Sequence, residues 1–246
     1  LFWLLALELL GLAIFPLLFR MLPGLPDRGF TLAKSLGLLS VAYAAWLLGS
    51  LNVRSFTPST LWLCAAVLIV VGALAARGQV GAMRAFVRSR RRSLLSAEAL
   101  FLVAYFGFVL LRSFNPDLWH PARGGEKPMD LAFLNAVLKS ASFPPYDPWF
   151  AGGYLNYYYF GFVLIGALVH LTGIVPTVAY NLAVPTVFAL TALGAWGVAY
   201  NLLAPRLPQR ALAAVGQWLV REQRAIRTGL ISAVFVVLLG TLANAI

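Results

Sequence analysis

Long apolar stretches separated by short polar segments dominate the chain. Seven of them hold enough mostly apolar residues to cross the roughly 30 Å hydrocarbon core of a bilayer as a helix. They are residues 1–19, 31–50, 58–76, 94–112, 156–174, 180–203 and 229–246. Because an isolated strand cannot satisfy its backbone polar groups in lipid, each stretch is predicted to be α-helical. The pattern predicts an all-α, polytopic transmembrane helix bundle of about seven spans.

The composition supports a membrane protein. Hydrophobic residues make up 61% of the chain and charged residues 11%, whereas a soluble domain carries about 25% charge. The net charge of +11 comes from arginines beside apolar spans, a pattern typical of topology signals and anionic-lipid contact rather than nucleic-acid binding. The single cysteine, Cys64, excludes an intrachain disulfide and a cysteine-based metal site.

The distribution of basic residues predicts the orientation in the membrane. Segment 77–92 holds six arginines and no acid, so we expect it to be cytoplasmic. The long polar loop 113–155 is then extracytoplasmic. Two further spans would place segment 204–228, with five arginines, outside. Either that segment lies on the surface as an amphipathic helix, or 174–203 is not a simple span.

We divide the chain near residue 93. Residues 1–93 contain N-terminal transmembrane helices and the basic cytoplasmic loop, and residues 94–246 contain a transmembrane module with loop 113–155. The chain begins without methionine and ends inside an apolar stretch, so we interpret it as part of a longer protein with a C-terminal remainder.

Loop 113–155 concentrates the scarce acids. Four of the eight acidic residues of the chain lie in it: Asp117, Glu126, Asp130 and Asp147. Carboxylates at a membrane surface can act as general bases or metal ligands, because partial burial moves their pKa toward working pH. They are therefore candidate catalytic residues. Ordinary solvated loop acids or helix caps are the simpler interpretation of each one.

Residues 128–141 within this loop are predicted to form a short interfacial helix. Pro128 suits the first turn, Asp130 lies near the positive end of the helix dipole and Lys139 near the negative end. The apolar side chains of Leu131, Leu134, Val137 and Leu138 fall near one face. Such a helix would hold Glu126 and Asp130 at the membrane surface.

Other residues of the loop are candidates for substrate binding. Arg112, Arg123 and Lys127 suit a phosphate, or equally lipid headgroups. His120 is a possible metal ligand or acid–base group, although a surface role is simpler. Aromatic and polar residues at the end of the loop complete the set: Trp149, Asn156, Tyr157, Tyr158 and Tyr159. Tryptophan and tyrosine gather at membrane interfaces by default, but three consecutive tyrosines point in three directions, and at least one needs a partner within the protein.

Several short motifs resemble the YYY membrane protein family (DUF2298) of Chloroflexi and archaea. They are NPD at 115–117, GGEKPMD at 124–130, FLNA at 133–136, PPYDPWFAGG at 144–153 and LNYYYFG at 155–161. The resemblance covers about residues 95–203. The family is similar in layout to the GT-C glycosyltransferases, in which a span precedes an extracytoplasmic loop with an acidic motif and an interfacial helix.

The resemblance implies transfer of a sugar from a polyprenyl-phosphate donor to an extracytoplasmic acceptor. Glu126 falls where the catalytic acid of such an enzyme would lie, and Asp130 is the second possibility. The usual paired acids are absent, since Lys127 follows Glu126. A cation such as Arg123 or Lys127, or a divalent metal ion, would stabilise the departing lipid phosphate.

Two other classes remain open. A non-catalytic subunit or scaffold of a larger membrane complex would tolerate neutral replacement of the loop acids and would use small residues on its spans for contacts with other subunits. A transporter would need charges near the midplane, for which Glu8 and Glu98 within predicted spans are candidates. The sequence contains no nucleotide-binding or zinc-protease motif, which argues against a water-soluble nucleotide-dependent enzyme.

Overall fold

The computed structural model describes residues 1–119, 125–205 and 212–242, with the backbone alone for 212–215 and 239–242. Helices are the only regular secondary structure among these residues. In chain order they are α1 (Phe2–Met21), α2 (Phe30–Ser50), α3 (Pro58–Ala76), α4 (Val80–Ser89), α5 (Arg91–Ser113), α6 (Lys127–Lys139), α7 (Phe160–Thr172), α8 (Pro176–Leu203) and α9 (Leu212–Leu242). The prediction of an all-α membrane protein is confirmed.

Among the described residues, five helices are long and apolar enough to cross a bilayer: α1, α2, α3, α5 and α8. The predicted count of about seven is therefore supported only approximately. The stretch 229–246 begins inside α9 and runs past the residues that the structure describes. The stretch 156–174 contains α7, which has 13 residues and is therefore only about 20 Å long.

Local signals explain why α7 is short. The residues just before the helix, 156–159, form a polar run, and the first helical turn begins at Phe160. After the helix comes Gly173, whose φ of 70° is left-handed and whose N–H donates to the carbonyl of Val169. A glycine in this conformation ends a helix at little steric cost. Apolar composition alone overestimated this element, because composition does not register its ends.

The chain falls into two compact units. Unit 1 comprises Leu1–Ile14, Lys34–Ala73 and Val109–Val184, and includes the long loop, α6 and α7. Unit 2 comprises Phe15–Ala33, Leu74–Phe108 and Pro185–Ile246, and includes α4 and α9.

Close backbone packing joins the first three helices within unit 1. A Cβ atom at Gly72 would overlap the carbonyl oxygen of Ala13, and one at Gly37 would overlap that of Leu10. Glu8 of α1 is not an isolated intramembrane carboxylate, because it forms an ion pair with Lys34 of α2. Lys34 is only 6% exposed, so the pair satisfies a charge that is costly to bury alone. The interpretation of Glu8 as a transport residue loses its main support.

A buried cluster ties three helices together within unit 2. Arg90, 2% exposed, donates to the Tyr200 hydroxyl at 3.1 Å and to the carbonyl of Pro205. The same guanidinium lies 3.4 Å from a carboxylate oxygen of Glu222. The start of α5, the end of α8 and the middle of α9 therefore meet at one place.

This cluster bears on the conflict over segment 204–228. The sequence placed that segment opposite 77–92 because it counted residues 156–174 as a full crossing. Since Arg90 contacts Pro205 and Glu222 directly, both basic segments lie together. A helix α7 that does not complete a crossing is therefore a third alternative beside the two that the sequence suggested, and all three stay predictions.

Candidate active site at the long loop

The helix predicted over residues 128–141 is present as α6. Pro128 occupies its first turn, Asp130 lies in that turn and Lys139 in the last, as the dipole argument requires. Leu131 and Leu134 are buried with Leu118, and Leu138 packs against this cluster. The apolar face of α6 therefore holds its acidic first turn in a fixed position against the start of the loop, α7 and the beginning of α8.

Asp130 is the most constrained of the four loop acids. It is half-buried, and the hydroxyl of Tyr180 donates to its Oδ2 at 3.0 Å. Burial raises the pKa of the Asp130 carboxyl, the Tyr180 hydrogen bond opposes that shift, and the nearby negative charge of Glu126 adds to it. A carboxylate poised in this way accepts a proton more readily than a solvated aspartate.

Glu126 immediately precedes α6 and is exposed. Its carbonyl accepts a hydrogen bond from the Asp130 N–H at 2.9 Å, so the two acids lie one helical turn apart. Both influence a third group: partial desolvation and then the charges of Glu126 and Asp130 raise the pKa of the Tyr158 phenol. The structure thus brings Glu126, Asp130 and Tyr158 into one neighbourhood.

Arg112, at the end of α5, lies on the other side of this neighbourhood. Its Nε donates to Oδ1 of Asn181 at 2.7 Å. Its Nη2 is buried and has no acceptor among the residues that the structure describes. Asn181 also donates to the carbonyl of Pro116 at 3.1 Å, which fixes the start of the loop. Because Tyr180 and Asn181 are adjacent in sequence, the first turns of α8 hold Asp130 and Arg112 near each other.

Lys127 is directed to the loop backbone. Its Nζ donates to the carbonyl of Asp117 at 3.2 Å, so it fastens the loop to the first turn of α6. Its exposure leaves the ammonium accessible to an anion as well.

Asp117 and Asp147 have local structural roles. Asp117 Oδ1 accepts the N–H of Trp119 at 2.9 Å, and Asp147 Oδ1 accepts the N–H of Trp149 at 2.8 Å. Both are Asx turns, in which the side chain substitutes for a backbone acceptor. The structure gives neither carboxylate a contact with Asp130.

The three consecutive tyrosines differ in their surroundings: one is held by the protein and two are exposed. Tyr159 accepts a hydrogen bond from the Trp46 indole N–H at 3.0 Å and stacks on Phe143 with centroids 6.0 Å apart. Tyr157 and Tyr158 pack edge to face and remain 67% and 50% exposed. One tyrosine therefore faces the protein, as the sequence required, and two face outward.

The remaining predicted substrate-binding residues lie at the surface or outside the description. Trp149 and Asn156 are exposed. His120 and Arg123 lie outside the described residues. Among described residues, no three histidine, cysteine or acidic side chains are grouped to hold a metal ion.

Sequence reasoning missed Tyr180 and Asn181. Both fall in the apolar stretch that was assigned to a span, and their partners are 50 and 69 residues away. The available signal was a pair of adjacent polar side chains within the first turns of a helix that follows the loop.

Comparison with known proteins places the chain in a family without assigning a reaction. Neither the comparison with curated proteins nor that with solved structures gives a significant match. Residues 40–246 match the sequence model of the family described as "Uncharacterized membrane protein (DUF2298)". Since the match covers most of the chain, including every helix of the candidate site, the chain belongs to the DUF2298 family of uncharacterised membrane proteins.

Proposed function

We propose that this membrane protein transfers a sugar from a polyprenyl-phosphate donor to an acceptor hydroxyl, with Asp130 as the general base. The observation that carries the proposal is the half-buried Asp130 carboxylate. It has a raised pKa and accepts a hydrogen bond from Tyr180, at the start of a helix that packs beside the apolar spans. A perturbed carboxylate beside an anion-binding group is a recurrent feature of active sites.

In the proposed step, the acceptor oxygen attacks C1 of the donor sugar while the bond between C1 and the phosphate oxygen breaks. The bonding electrons leave with the polyprenyl phosphate, and the acceptor proton passes to the Asp130 carboxylate. Asp130 must therefore be ionised before the reaction. The Tyr180 hydroxyl orients the carboxylate and stabilises this ionised form.

Asp130 replaces Glu126 as the preferred base. Glu126 is exposed, whereas Asp130 is half-buried and oriented by a hydrogen bond. The role that suits Glu126 is electrostatic, because its charge contributes to the raised pKa of Asp130.

Arg112 is the group best suited to the departing phosphate. Its Nε is fixed by Asn181, and its buried Nη2 has no hydrogen-bond acceptor among the described residues. An arginine that already holds its orientation loses little entropy on binding phosphate. Glu126 and Asp130 alone make a poor divalent-metal site, so we assign charge stabilisation to Arg112 and Lys127 instead.

The proposal is tested by neutralising the base in the full-length protein. Membranes expressing Asp130→Asn should consume endogenous polyprenyl-phosphate sugars, quantified by mass spectrometry of lipid extracts, about 10²–10⁴-fold more slowly than wild type. Asp147→Asn is the matched control, because asparagine retains the Asx-turn acceptor; it should keep wild-type consumption.

Equal membrane levels of both variants must accompany the measurement. If Asp130→Asn consumed lipid-linked sugar at the wild-type rate, the base assignment would be wrong. The non-catalytic subunit would then become the better description if Glu126→Gln also kept wild-type consumption, since a scaffold tolerates neutral loop acids.

A further inference from the structure

A cavity in unit 2 is lined by none of the residues of the proposed reaction. Its volume is about 310 Å³, at the lower end of the range typical of small-ligand sites. One wall is formed where α4 meets α5 and carries Arg88, Arg91 and Arg92. The opposite wall belongs to α9 and carries Trp218, Leu219 and Ile226.

The charge of this cavity is strongly positive. Glu222 is the one acid among its lining residues, and it is 4% exposed and paired with buried Arg90 at 3.4 Å. Those two charges neutralise each other. Arg88, Arg91 and Arg92 are exposed and line the cavity, and its one lining carboxylate is already paired with Arg90.

Trp218 lines the apolar wall of the cavity and carries a polar donor, its indole N–H. The Arg90 guanidinium covers its ring at 5.1 Å from the centroid, which holds the indole in place. The indole N–H is buried and has no acceptor within the described part of the chain. An acidic oxygen inside the cavity would supply that acceptor.

The surroundings of the cavity are apolar as well as basic. Val87 on α4 is 46% exposed, and Leu219 and Val220 on α9 are 38% and 60% exposed. Both helices therefore present arginines and aliphatic side chains together, the pattern of a helix at the headgroup level of a membrane. A soluble anion has no use for the aliphatic part, whereas a phospholipid uses both.

We propose that this cavity binds the phosphate headgroup of an anionic phospholipid from the leaflet on the arginine-rich side. The guanidinium groups of Arg88, Arg91 and Arg92 contact the phosphate, Trp218 donates from the opposite wall, and the acyl chains run along the aliphatic surface of α9. This lipid is separate from the polyprenyl donor, and the inference does not depend on the proposed reaction.

The test measures thermal stability and binding with full-length protein in detergent, using phosphatidylglycerol, phosphatidylcholine and glycerol 3-phosphate as probes. Phosphatidylglycerol should raise the unfolding temperature and the other two should not. Each arginine near an anionic surface contributes about fivefold in affinity, so Arg88→Gln/Arg91→Gln/Arg92→Gln should weaken binding on the order of 100-fold.

The matched control removes the same charge elsewhere in unit 2. Arg20, Arg77 and Arg84 are exposed and do not line the cavity, so the variant with all three changed to glutamine should bind within a few-fold of wild type. The single substitution Arg91→Gln leaves five arginines in 77–92 to preserve membrane insertion. It should weaken binding about fivefold.

Three results of the lipid and variant comparisons would each overturn the proposal, and a fourth concerns the soluble probe. The three are equal stabilisation by phosphatidylcholine, equal loss of affinity in the control triple variant, and an unchanged affinity in Arg91→Gln. Stabilisation by glycerol 3-phosphate equal to that by phosphatidylglycerol would also overturn it, because the ligand would then be a soluble phosphate rather than a lipid.

Discussion

At the residue scale, the neighbours of Asp130 shift its pKa in opposite directions. Tyr180 lowers it by hydrogen bonding to the ionised carboxylate, and Glu126 raises it by charge repulsion. Proton abstraction needs the ionised form, so activity should rise with pH through the pKa of Asp130. This pKa lies above that of an ordinary aspartate because burial disfavours the charge.

Two substitutions should therefore move the acidic limb of the pH–activity profile in opposite directions. Tyr180→Phe should move it to higher pH by about 0.5–1 unit, the equivalent of one lost hydrogen bond. Glu126→Gln should move it to lower pH. Initial rates of lipid-linked sugar consumption across pH 4–9 measure both, and Tyr157→Phe is the control, since Tyr157 is exposed and should leave the limb in place.

A shift of the same sign in both variants would contradict this assignment of roles. It would show that the limb reports another group, or that both changes disturb the site in a common way.

The residue scale also shows what sequence reasoning can and cannot predict about the site. The clustering of acids placed Glu126 first and Asp130 second as candidate bases, and both assignments stay predictions; the structure adds that Asp130 is half-buried and hydrogen-bonded to Tyr180, whereas Glu126 is exposed. Asp117 and Asp147 each precede a tryptophan by two residues, which is the spacing of an Asx turn. Their role as turn acceptors could therefore have been predicted from the sequence. The partnership of Asp130 with Tyr180 could not, because it depends on how α6 packs against α8.

At the element scale, Tyr159 anchors the start of α7. Its hydroxyl accepts from Trp46 on α2, and its ring stacks on Phe143. Tyr159→Phe removes the hydrogen bond and keeps the stacking, so it should cost about 0.5–1.5 kcal/mol of unfolding free energy. Tyr157→Phe should have no measurable effect, since that hydroxyl belongs to an exposed side chain. Thermal unfolding in detergent, followed by circular dichroism, distinguishes the two; equal stability losses would mean that Tyr159 is not the anchor.

Glycine contacts set the spacing of α1 and α3. Gly72→Ala should destabilise the protein by about 1–3 kcal/mol, because the new methyl group overlaps the Ala13 carbonyl oxygen and must displace a helix. Gly194→Ala is the control, because nothing lies within 4 Å of a Cβ there, and alanine favours the helix by about 1 kcal/mol. Opposite signs of the stability change are expected from chemical denaturation of the two variants in mixed micelles. A neutral Gly72→Ala would show that the two backbones are not in close contact.

The elements themselves were largely predictable. Spans α1, α2, α3, α5 and α8 follow from apolar length alone, and α6 follows from a proline, two charges and one apolar face. The length of α7 did not follow, since the predicted span 156–174 is mostly apolar when its composition is taken as a whole. The conformation of Gly173 and the polar run before Phe160 limit the length of α7. A hydropathy value averaged over about 20 residues does not detect either feature.

At the scale of the whole molecule, the number of crossings between α5 and α8 decides the topology. Helix α5 begins beside Arg90, and α8 ends beside Pro205, which that same arginine contacts. The chain therefore leaves and returns to one place through two span-length helices. Helix α7, at about 20 Å, adds no complete crossing between them. We expect the arginine-rich segments around residues 84 and 217 to share one side, cytoplasmic by the distribution of positive charge, with α6 on the other.

Cysteine accessibility in intact cells tests this arrangement. In a Cys64→Ser background, Lys139→Cys should react with a membrane-impermeant maleimide from outside. Arg84→Cys and Gln217→Cys should react only after permeabilisation; all three positions are exposed, so accessibility within the fold is not limiting.

If Gln217→Cys were labelled in intact cells while Arg84→Cys was not, 156–174 would cross the membrane as a full span, and the contacts of Arg90 with Pro205 and Glu222 would not exist in the membrane. Labelling of Arg84→Cys from outside, with Lys139→Cys protected, would instead invert the whole orientation and place the candidate active site on the cytoplasmic side.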